Sequence, residues 1–176
     1  MRTIGLYSII ALLFISGCGE DHGINPAEES LDFFVDAKLT GEFPYAFSGD
    51  NVVFHRHYVR EDDKSIADDE YSEDFFVELE NPEESFEYTG EELKNLKTLF
   101  LYYCYCGYTS DVALKEGSIK GTKKSERKYE LDVDVTYEYY HIDQASKDTI
   151  DTYTRQVKYK GVHQQDAVPS GMSGAN

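Results

Sequence analysis

The most constraining feature of this sequence is a run of eleven residues, 129–139, in which apolar and polar side chains alternate strictly. Successive side chains of a β-strand point to opposite faces, whereas a helix would scatter them around its circumference. The run therefore predicts a long strand with one buried face and one wet face. The buried positions would be Tyr129, Leu131, Val133, Val135, Tyr137 and Tyr139.

Other segments rich in β-branched and aromatic residues predict further strands. They lie at 32–39, 51–60, 75–79, 98–106 and 150–159. One short helix is expected after Thr89, because Thr89 and Glu92 have the spacing of a capping box. We predict an all-β chain, an antiparallel β-sandwich of about seven to eight strands with one short helix. A calycin-like β-barrel is the alternative, because long strands with one apolar face also close into barrels.

Opposite charges on the last two predicted strands predict how these strands pair. Residues 141–148 separate the strands and suggest a long hairpin. Across it, Asp132 and Asp134 would face Lys158 or Arg155, and each such pair contributes a few tenths of a kcal/mol.

The N-terminus carries an apolar run, 4–15, behind Arg2. This run is shorter than the about 20 residues that a membrane-spanning helix needs, but it suits the core of a signal peptide. It ends in Ile15-Ser16-Gly17-Cys18, which resembles the lipobox of bacterial lipoproteins. The resemblance implies cleavage before Cys18 and fatty acyl chains on this cysteine, which would anchor the chain to a membrane.

The lipobox resemblance implies a lipid-anchored protein of the cell envelope, at the outer membrane. The acidic residues Glu20 and Asp21 follow Cys18 closely, which resembles the export signal of Bacteroidota surface lipoproteins. The chain would accordingly face either the periplasm or the cell exterior. The strand pattern is similar to that of small uncharacterised β-rich lipoproteins of Bacteroidota. An ordinary cleaved signal peptide with an incidental cysteine is the alternative.

These patterns divide the chain into four segments. Residues 1–17 would be the signal peptide and residues 18–30 a flexible tether, because the tether has no apolar periodicity. Residues 31–163 would form the β-sandwich domain. Residues 164–176 would be a disordered tail, because they have little to bury.

Acidic residues are concentrated in the first half of the chain, where residues 20–92 hold 23 acidic and 4 basic side chains. The formal net charge of -17 argues against a nucleic-acid partner, because phosphate contacts need clustered Lys and Arg. The densest acidic stretch, 61–74, predicts a solvated loop. The alternative is a calcium site, because Ca²⁺ prefers carboxylate oxygens. Its ligands would be Asp62, Asp63, Asp68 and Asp69.

No familiar catalytic spacing occurs in the sequence, including the nucleophile elbow, the H-E-x-x-H motif and the phosphate-binding loops. We therefore predict a non-enzymatic binding or accessory module. A metal-dependent enzyme is an alternative that rests on His55 and His57 together with Cys104 and Cys106. Residues two apart on a strand share a face, and two His with two Cys suit zinc. Charged pairs for the histidines, and buried thiols or a strained disulfide for the cysteines, are the other interpretations.

Tyrosines cluster in two segments, 102–108 and 137–140. Most are expected to pack in the core. Tyr103 and Tyr140 fall outside the buried alternation of their strands, so we predict that they are exposed. A Tyr ring combines a large apolar surface with a polar tip, which suits binding to a protein or a glycan.

Overall fold

The computed structural model describes residues 24–43, 45–66, 70–104, 111–142 and 149–168. Within these ranges the chain is all-β with one short helix, which confirms the predicted fold class. No helix among these residues has the length and apolar composition needed to cross a bilayer. The elements are β1 (Ile24–Asn25), β2 (Glu28–Leu39), β3 (Ala46–Ser48), β4 (Asn51–Val59), β5 (Asp62–Asp63), β6 (Tyr71–Leu79), β7 (Ser85–Thr89), α1 (Gly90–Lys94), β8 (Lys97–Cys104), β9 (Asp111–Ser125), β10 (Lys128–Ile142) and β11 (Thr149–Gln165).

Most strands belong to one nine-stranded sheet with the order β7-β9-β10-β11-β2-β4-β6-β8, in which β3 pairs with β2 beside this path. Strands β1 and β5 form a separate two-stranded pair. The pairing of β11 with β2 is parallel and short, whereas the other described pairings are antiparallel. In the described part of the chain, no pairing joins the end strands β7 and β8. The sheet is therefore open, and the closed barrel considered as an alternative is not observed.

The sheet folds over at the junction of β11 and β2, so that two four-stranded layers face each other. The first layer contains β2, β4, β6 and β8, and the second contains β7, β9, β10 and β11. Aromatic side chains meet between the layers: ring centroids lie 5.3 Å apart for Phe54 and Tyr129, and 5.2 Å apart for Phe100 and Tyr137. These contacts belong to the main core and give the molecule a sandwich-like arrangement.

Strand β10 has the alternation of buried and solvent-facing side chains that the sequence predicts for this segment. Tyr129, Leu131, Val133, Val135 and Tyr137 are all buried in the main core, whereas Tyr139, also predicted to be buried, is only partly buried. On the opposite face of β10, the Asp134 carboxylate lies 2.6 Å from Lys158 Nζ on β11. The predicted cross-strand pairing is therefore present for this pair of charges.

The short helix lies where the sequence predicts it, directly after Thr89. Thr89 is the N-cap residue, but its side chain makes no capping hydrogen bond, so the expected capping box does not form. Leu93 instead holds the helix in place, because its side chain is fully buried in the main core.

The first layer also buries part of its outer face, the face directed away from the main core. A second apolar cluster lies there and includes Phe34, Val53 and Phe76. The cover comes from β3, from Tyr45 and from Val168 near the end of the described chain. Phe33 therefore packs in the main core, and Phe34 packs in the second apolar cluster on the outer face.

The ends of the folded region extend further than the sequence boundaries suggest. Strand β2 begins at Glu28, inside the segment predicted as a tether, and β11 ends at Gln165, inside the predicted tail. The amide of Asp166 donates a hydrogen bond to the Phe33 carbonyl at 2.9 Å. Residues 28–30 and 164–165 are therefore part of the sheet, and Asp166 is hydrogen-bonded to β2.

Candidate functional site

Strands β4 and β6 carry two polar clusters on opposite faces of the first layer. Along β4, His55 and His57 lie on the outer face, and Arg56 between them lies on the inner face. Along β6, Asp74 lies on the outer face and Glu73 on the inner face. The register pairs His57 with Asp74, and the period of two sends neighbouring residues to opposite faces.

Glu73 is the centre of the inner cluster. Its carboxylate accepts hydrogen bonds from Arg56 Nη1 at 3.1 Å, Arg155 Nε at 2.8 Å and the Tyr71 hydroxyl at 2.6 Å. Glu73 is only 5% exposed. Burial by itself would raise the pKa of Glu73, but these donors outweigh it and hold the pKa below its ordinary value.

Arg56 extends the inner cluster to three more side chains. Its Nε donates to Glu29 Oε1 on β2 at 2.6 Å. Its guanidinium also lies 4.8 Å from the ring centroid of Tyr58 and 5.1 Å from that of Tyr159 on β11. The inner cluster therefore joins the two layers, and its donors and acceptors satisfy one another. These contacts indicate a structural role.

The outer cluster consists of His55, His57 and Asp74. His55 Nε2 lies 2.6 Å and His57 Nδ1 lies 2.9 Å from the same atom, Asp74 Oδ1. Burial would raise the pKa of Asp74, but the hydrogen bonds from the two imidazoles hold it below its ordinary value. The His57 side chain is 41% exposed, so solvent reaches the cluster.

Aromatic neighbours fix the orientation of His55. Its ring stacks on Phe76 of β6 with centroids 4.1 Å apart and an interplanar angle of 3°. On the side of β2, Phe34 stacks with the same ring at 6.4 Å. His55 and Phe76 are direct cross-strand partners, so the sheet itself sets this contact.

Aromatic side chains lie beside the outer cluster, and we call the exposed Phe43 and Tyr103 together with the partly buried Tyr45 the aromatic patch. Tyr103 on β8 is 48% exposed and Phe43 is 82% exposed. The rings of Phe43 and Tyr45 meet edge to face at 5.8 Å. Partial burial, a hydrogen bond with Tyr45 and the nearby charge of Asp74 all raise the pKa of Tyr103. The aromatic patch and the outer cluster are therefore adjacent.

Tyr45 has a left-handed backbone conformation, with φ of 56°. Such a conformation costs a bulky residue about 1–2 kcal/mol. Two backbone hydrogen bonds hold it in place: the Thr40 amide donates to the Tyr45 carbonyl and the Tyr45 amide donates to the Glu42 carbonyl, both at 2.7 Å. Strain of this kind occurs preferentially at binding sites.

The four aspartates predicted as calcium ligands fall into two groups. Asp62 and Asp63 form β5, and Asp68 and Asp69 lie outside the described residues. Asp62 Oδ2 accepts a hydrogen bond from Asn25 at 2.9 Å. Asp63 Oδ1 accepts from the Ser65 hydroxyl at 2.6 Å, and the hydrogen bonds of Ser65 lower the pKa of Asp63. Both carboxylates thus have local partners.

The acidic stretch 61–74 is not a single solvated loop. Its last two acids, Glu73 and Asp74, lie on β6 and have the partners described above. The sequence could not separate them from the solvated acids because short acidic groups recur throughout 61–74 and none differs from the others in local pattern.

The structure does not bring Cys104 to the two histidines. Cys104 pairs with Tyr71, whereas Leu101 pairs with Asp74, the partner of His57. Two strand spacings and three residues of rise put the Cα atoms of Cys104 and His57 about 14 Å apart. Cys106 lies outside the described residues, so the proposed set of two histidines and two cysteines has no support from the described geometry.

The other predicted site residues are placed as follows. Tyr140 lies on β10, where its backbone pairs with Thr152 and Asp111. Cys18 lies outside the described residues. Asp74 was missed as a partner of the histidines, because only the register of β4 and β6 reveals it.

The chain was compared with protein-family models, with curated proteins and with solved structures, and none of the three comparisons finds a match. The fold and the site nevertheless define a class. The chain is an all-β, sandwich-like protein with an exposed aromatic patch beside a His–His–Asp cluster.

Proposed function

We propose that this chain is a lipid-anchored protein of the cell envelope whose folded domain binds a glycan through the aromatic patch. The observation that carries this proposal is the exposure of Phe43 and Tyr103 next to a strained Tyr45. Binding sites for small ligands combine aromatic side chains with a few polar groups that fix orientation. Here His57 and Asp74 supply the polar groups.

The size of the aromatic patch favours a glycan over a stable protein partner. Phe and Tyr side chains bury about 150–250 Å² each, so the exposed parts of Phe43 and Tyr103 amount to about 250 Å². A stable protein interface needs about 800 Å² from each partner. One or two sugar rings need much less area.

The pKa shifts on β6 favour binding over acid–base catalysis. The pKa values of Glu73 and Asp74 both lie below their ordinary values. A general acid or base is most effective when its pKa is close to the working pH. Both carboxylates are ionised at neutral pH and suit electrostatic or hydrogen-bonding roles.

The membrane anchor in this proposal rests on the lipobox at 15–18. Acyl chains on Cys18 would hold the domain at the outer membrane through the segment before β2. Mass spectrometry of the N-terminal peptide from the native protein tests this part. We expect an acylated cysteine at position 18; an unmodified peptide would refute the anchor but not the glycan site.

Retention on immobilised polysaccharides tests the glycan site. The full-length chain in detergent is applied to peptidoglycan, lipopolysaccharide and plant polysaccharide resins. We expect retention on at least one resin and its loss in Tyr103→Ala and Phe43→Ala. Tyr153→Ala is the matched control, because Tyr153 is 47% exposed but lies on β11 in the second layer. Absence of retention, or equal retention by Tyr103→Ala and Tyr153→Ala, would contradict the proposal.

A further inference from the structure

We propose that His55, His57 and Asp74 form a binding site for a divalent transition-metal ion, with Zn²⁺ as the ion that best suits them. This proposal uses the outer cluster alone and does not require glycan binding, although His57 and Asp74 also border the proposed glycan site. One candidate ligand atom from each side chain lies within 4.8 Å of the other two.

The distances in the outer cluster are close to those of a zinc site. Zinc lies about 2.0–2.2 Å from its imidazole and carboxylate ligands, so tetrahedral ligand atoms are about 3.3 Å apart. In the structure, the two imidazole nitrogens lie 2.6 Å and 2.9 Å from Asp74 Oδ1. The atoms must move apart by less than about 1 Å in these two pairs to admit the ion.

The surroundings of the outer cluster fix the ring of His55, whereas the His57 side chain is more exposed. The ring of His55 is stacked between Phe76 and Phe34, which fixes its orientation. His57 is the most exposed of the three side chains and can adjust its rotamer. Because His57 and Asp74 are direct partners in the sheet, the two strands keep their Cα atoms in a fixed register.

The ligand types select the class of metal ion. Imidazole nitrogens suit Zn²⁺ and other transition metals, whereas Ca²⁺ takes oxygen ligands only. Three protein ligands leave at least one coordination position for water, and the exposed side of the cluster gives water access. We therefore expect selectivity for Zn²⁺ over Ca²⁺ at this site.

Both imidazoles contact the same oxygen, Asp74 Oδ1. A bound metal ion would take the place of the protons that lie between the imidazole nitrogens and this oxygen. Without metal, each imidazole must place an N–H toward Asp74 Oδ1. Zinc binding would displace these protons from the two ligand nitrogens, onto the other ring nitrogen of a neutral imidazole or to solvent from an imidazolium. The competing interpretation is a hydrogen-bonded cluster that supports only the fold, and this interpretation predicts no affinity for zinc.

Calorimetric titration of ZnCl₂ into the full-length chain tests the proposal. The protein is purified in detergent without a histidine tag. We expect one zinc ion per chain and a higher thermal midpoint with zinc, because an ion that binds only the folded state stabilises it. CaCl₂ should produce neither effect through this cluster.

Two substitutions connect the zinc binding to the outer cluster. Asp74→Asn and His57→Ala should each weaken zinc binding by more than about tenfold, because loss of an outer-shell partner alone typically costs about 10–100-fold and each of these changes removes a direct ligand. Asp134→Asn is the matched control, since Asp134 lies on β10 and pairs with Lys158. Circular dichroism establishes that each variant is folded before titration.

Three results would overturn the proposal. The first is the absence of zinc binding by the unsubstituted chain at millimolar ZnCl₂. The second is zinc binding that Asp74→Asn and His57→Ala leave unchanged, which would place the ion elsewhere. The third is thermal stabilisation by CaCl₂ but not by ZnCl₂.

Discussion

The inner and outer clusters are built from the same two strands but use their polar groups differently. On the inner face, Glu73 is surrounded by three donors and Arg56 is buried with it. On the outer face, two imidazoles share one oxygen of Asp74, and His57 faces solvent. Neighbouring residues in sequence thus serve a structural cluster and a candidate binding cluster.

Burial explains why the two clusters differ. A buried charge without a partner is very costly, so Glu73 and Arg56 must be satisfied by protein groups. His57 is 41% exposed and Asp74 is 14% exposed, so water or a ligand can reach the outer cluster from the side of His57. The central pair of the inner cluster, Glu73 and Arg56, is thus more deeply buried than His57, and this difference in burial separates the two roles.

The largest effect is expected for Glu73→Gln, which tests whether the inner cluster is structural. The substitution leaves Arg56 and Arg155 without their carboxylate, and breaking a buried ion pair costs about 3–5 kcal/mol. Urea unfolding of the full-length chain measures this loss. Glu130→Gln on β10 is the control, because the Glu130 carboxylate lies at the surface beside Lys124, where a lost ion pair should change stability far less. Equal losses for both variants would remove the distinction.

The next effect concerns His163, a fully buried polar residue whose ring packs against Phe54 and Tyr159. Its Nε2 lies 3.3 Å from the Tyr159 hydroxyl, and burial lowers the pKa of His163 to about 3. The unfolded chain binds this proton near pH 6.5, so stability falls as the pH decreases below that value. The loss between pH 7 and pH 5 is about 2 kcal/mol.

The His163→Leu variant provides the control for this pH dependence. Its stability should change less between pH 7 and pH 5 than that of the unsubstituted chain. The pKa values of Glu73 and Asp74 are lowered in the folded chain. These carboxylates therefore keep their contribution to stability until the pH falls to their ordinary pKa range, near pH 4, which lies below the interval that tests His163. If the unsubstituted chain and His163→Leu show the same slope above pH 5, the role given to His163 is wrong.

A smaller loss of stability is expected for Asp74→Asn. Its free energy of unfolding shows, by comparison with Glu73→Gln, how much the outer cluster contributes to stability. Hydrogen bonds and ion pairs near solvent contribute about 1 kcal/mol or less. The substitution should therefore cost at most about 1 kcal/mol in urea unfolding while it weakens zinc binding. A loss as large as that of Glu73→Gln would mean that both clusters are structural.

The smallest effect on stability is expected for Phe43→Ala. Phe43 is mostly exposed, so its removal should change the free energy of unfolding by about 0.5 kcal/mol or less. Phe76→Ala on the same face is the contrast, because its buried ring should cost about 3–5 kcal/mol. A substantial loss of stability in Phe43→Ala would show that the aromatic patch serves packing instead of binding.

The sequence predicts the parts of the fold that local periodicity determines. The alternation at 129–139 predicts β10 and its buried face, and the charge pattern predicts the pair of Asp134 with Lys158. The second apolar cluster on the outer face was not predicted. Phe33 and Phe34 are adjacent, and periodicity alone does not say that both faces of β2 are covered.

The candidate site was predictable only in part. The spacing of His55 and His57 predicts that they lie on the same face of a strand. The alternation of β8 predicts that Tyr103 is exposed. Asp74 was hidden within an acidic run, because its partnership depends on the register between β4 and β6. Long-range packing sets this register, so a single sequence does not contain a local signal for it.

Photo-cross-linking in living cells tests whether the aromatic patch binds a glycan. A photoreactive phenylalanine derivative replaces Tyr103 in one variant and Tyr153 in another, two tyrosines of nearly equal exposure on different layers. We expect a cross-linked product that contains polysaccharide at position 103 and none at position 153. Equal products at both positions, or a product at position 103 that contains only protein, would contradict this expectation.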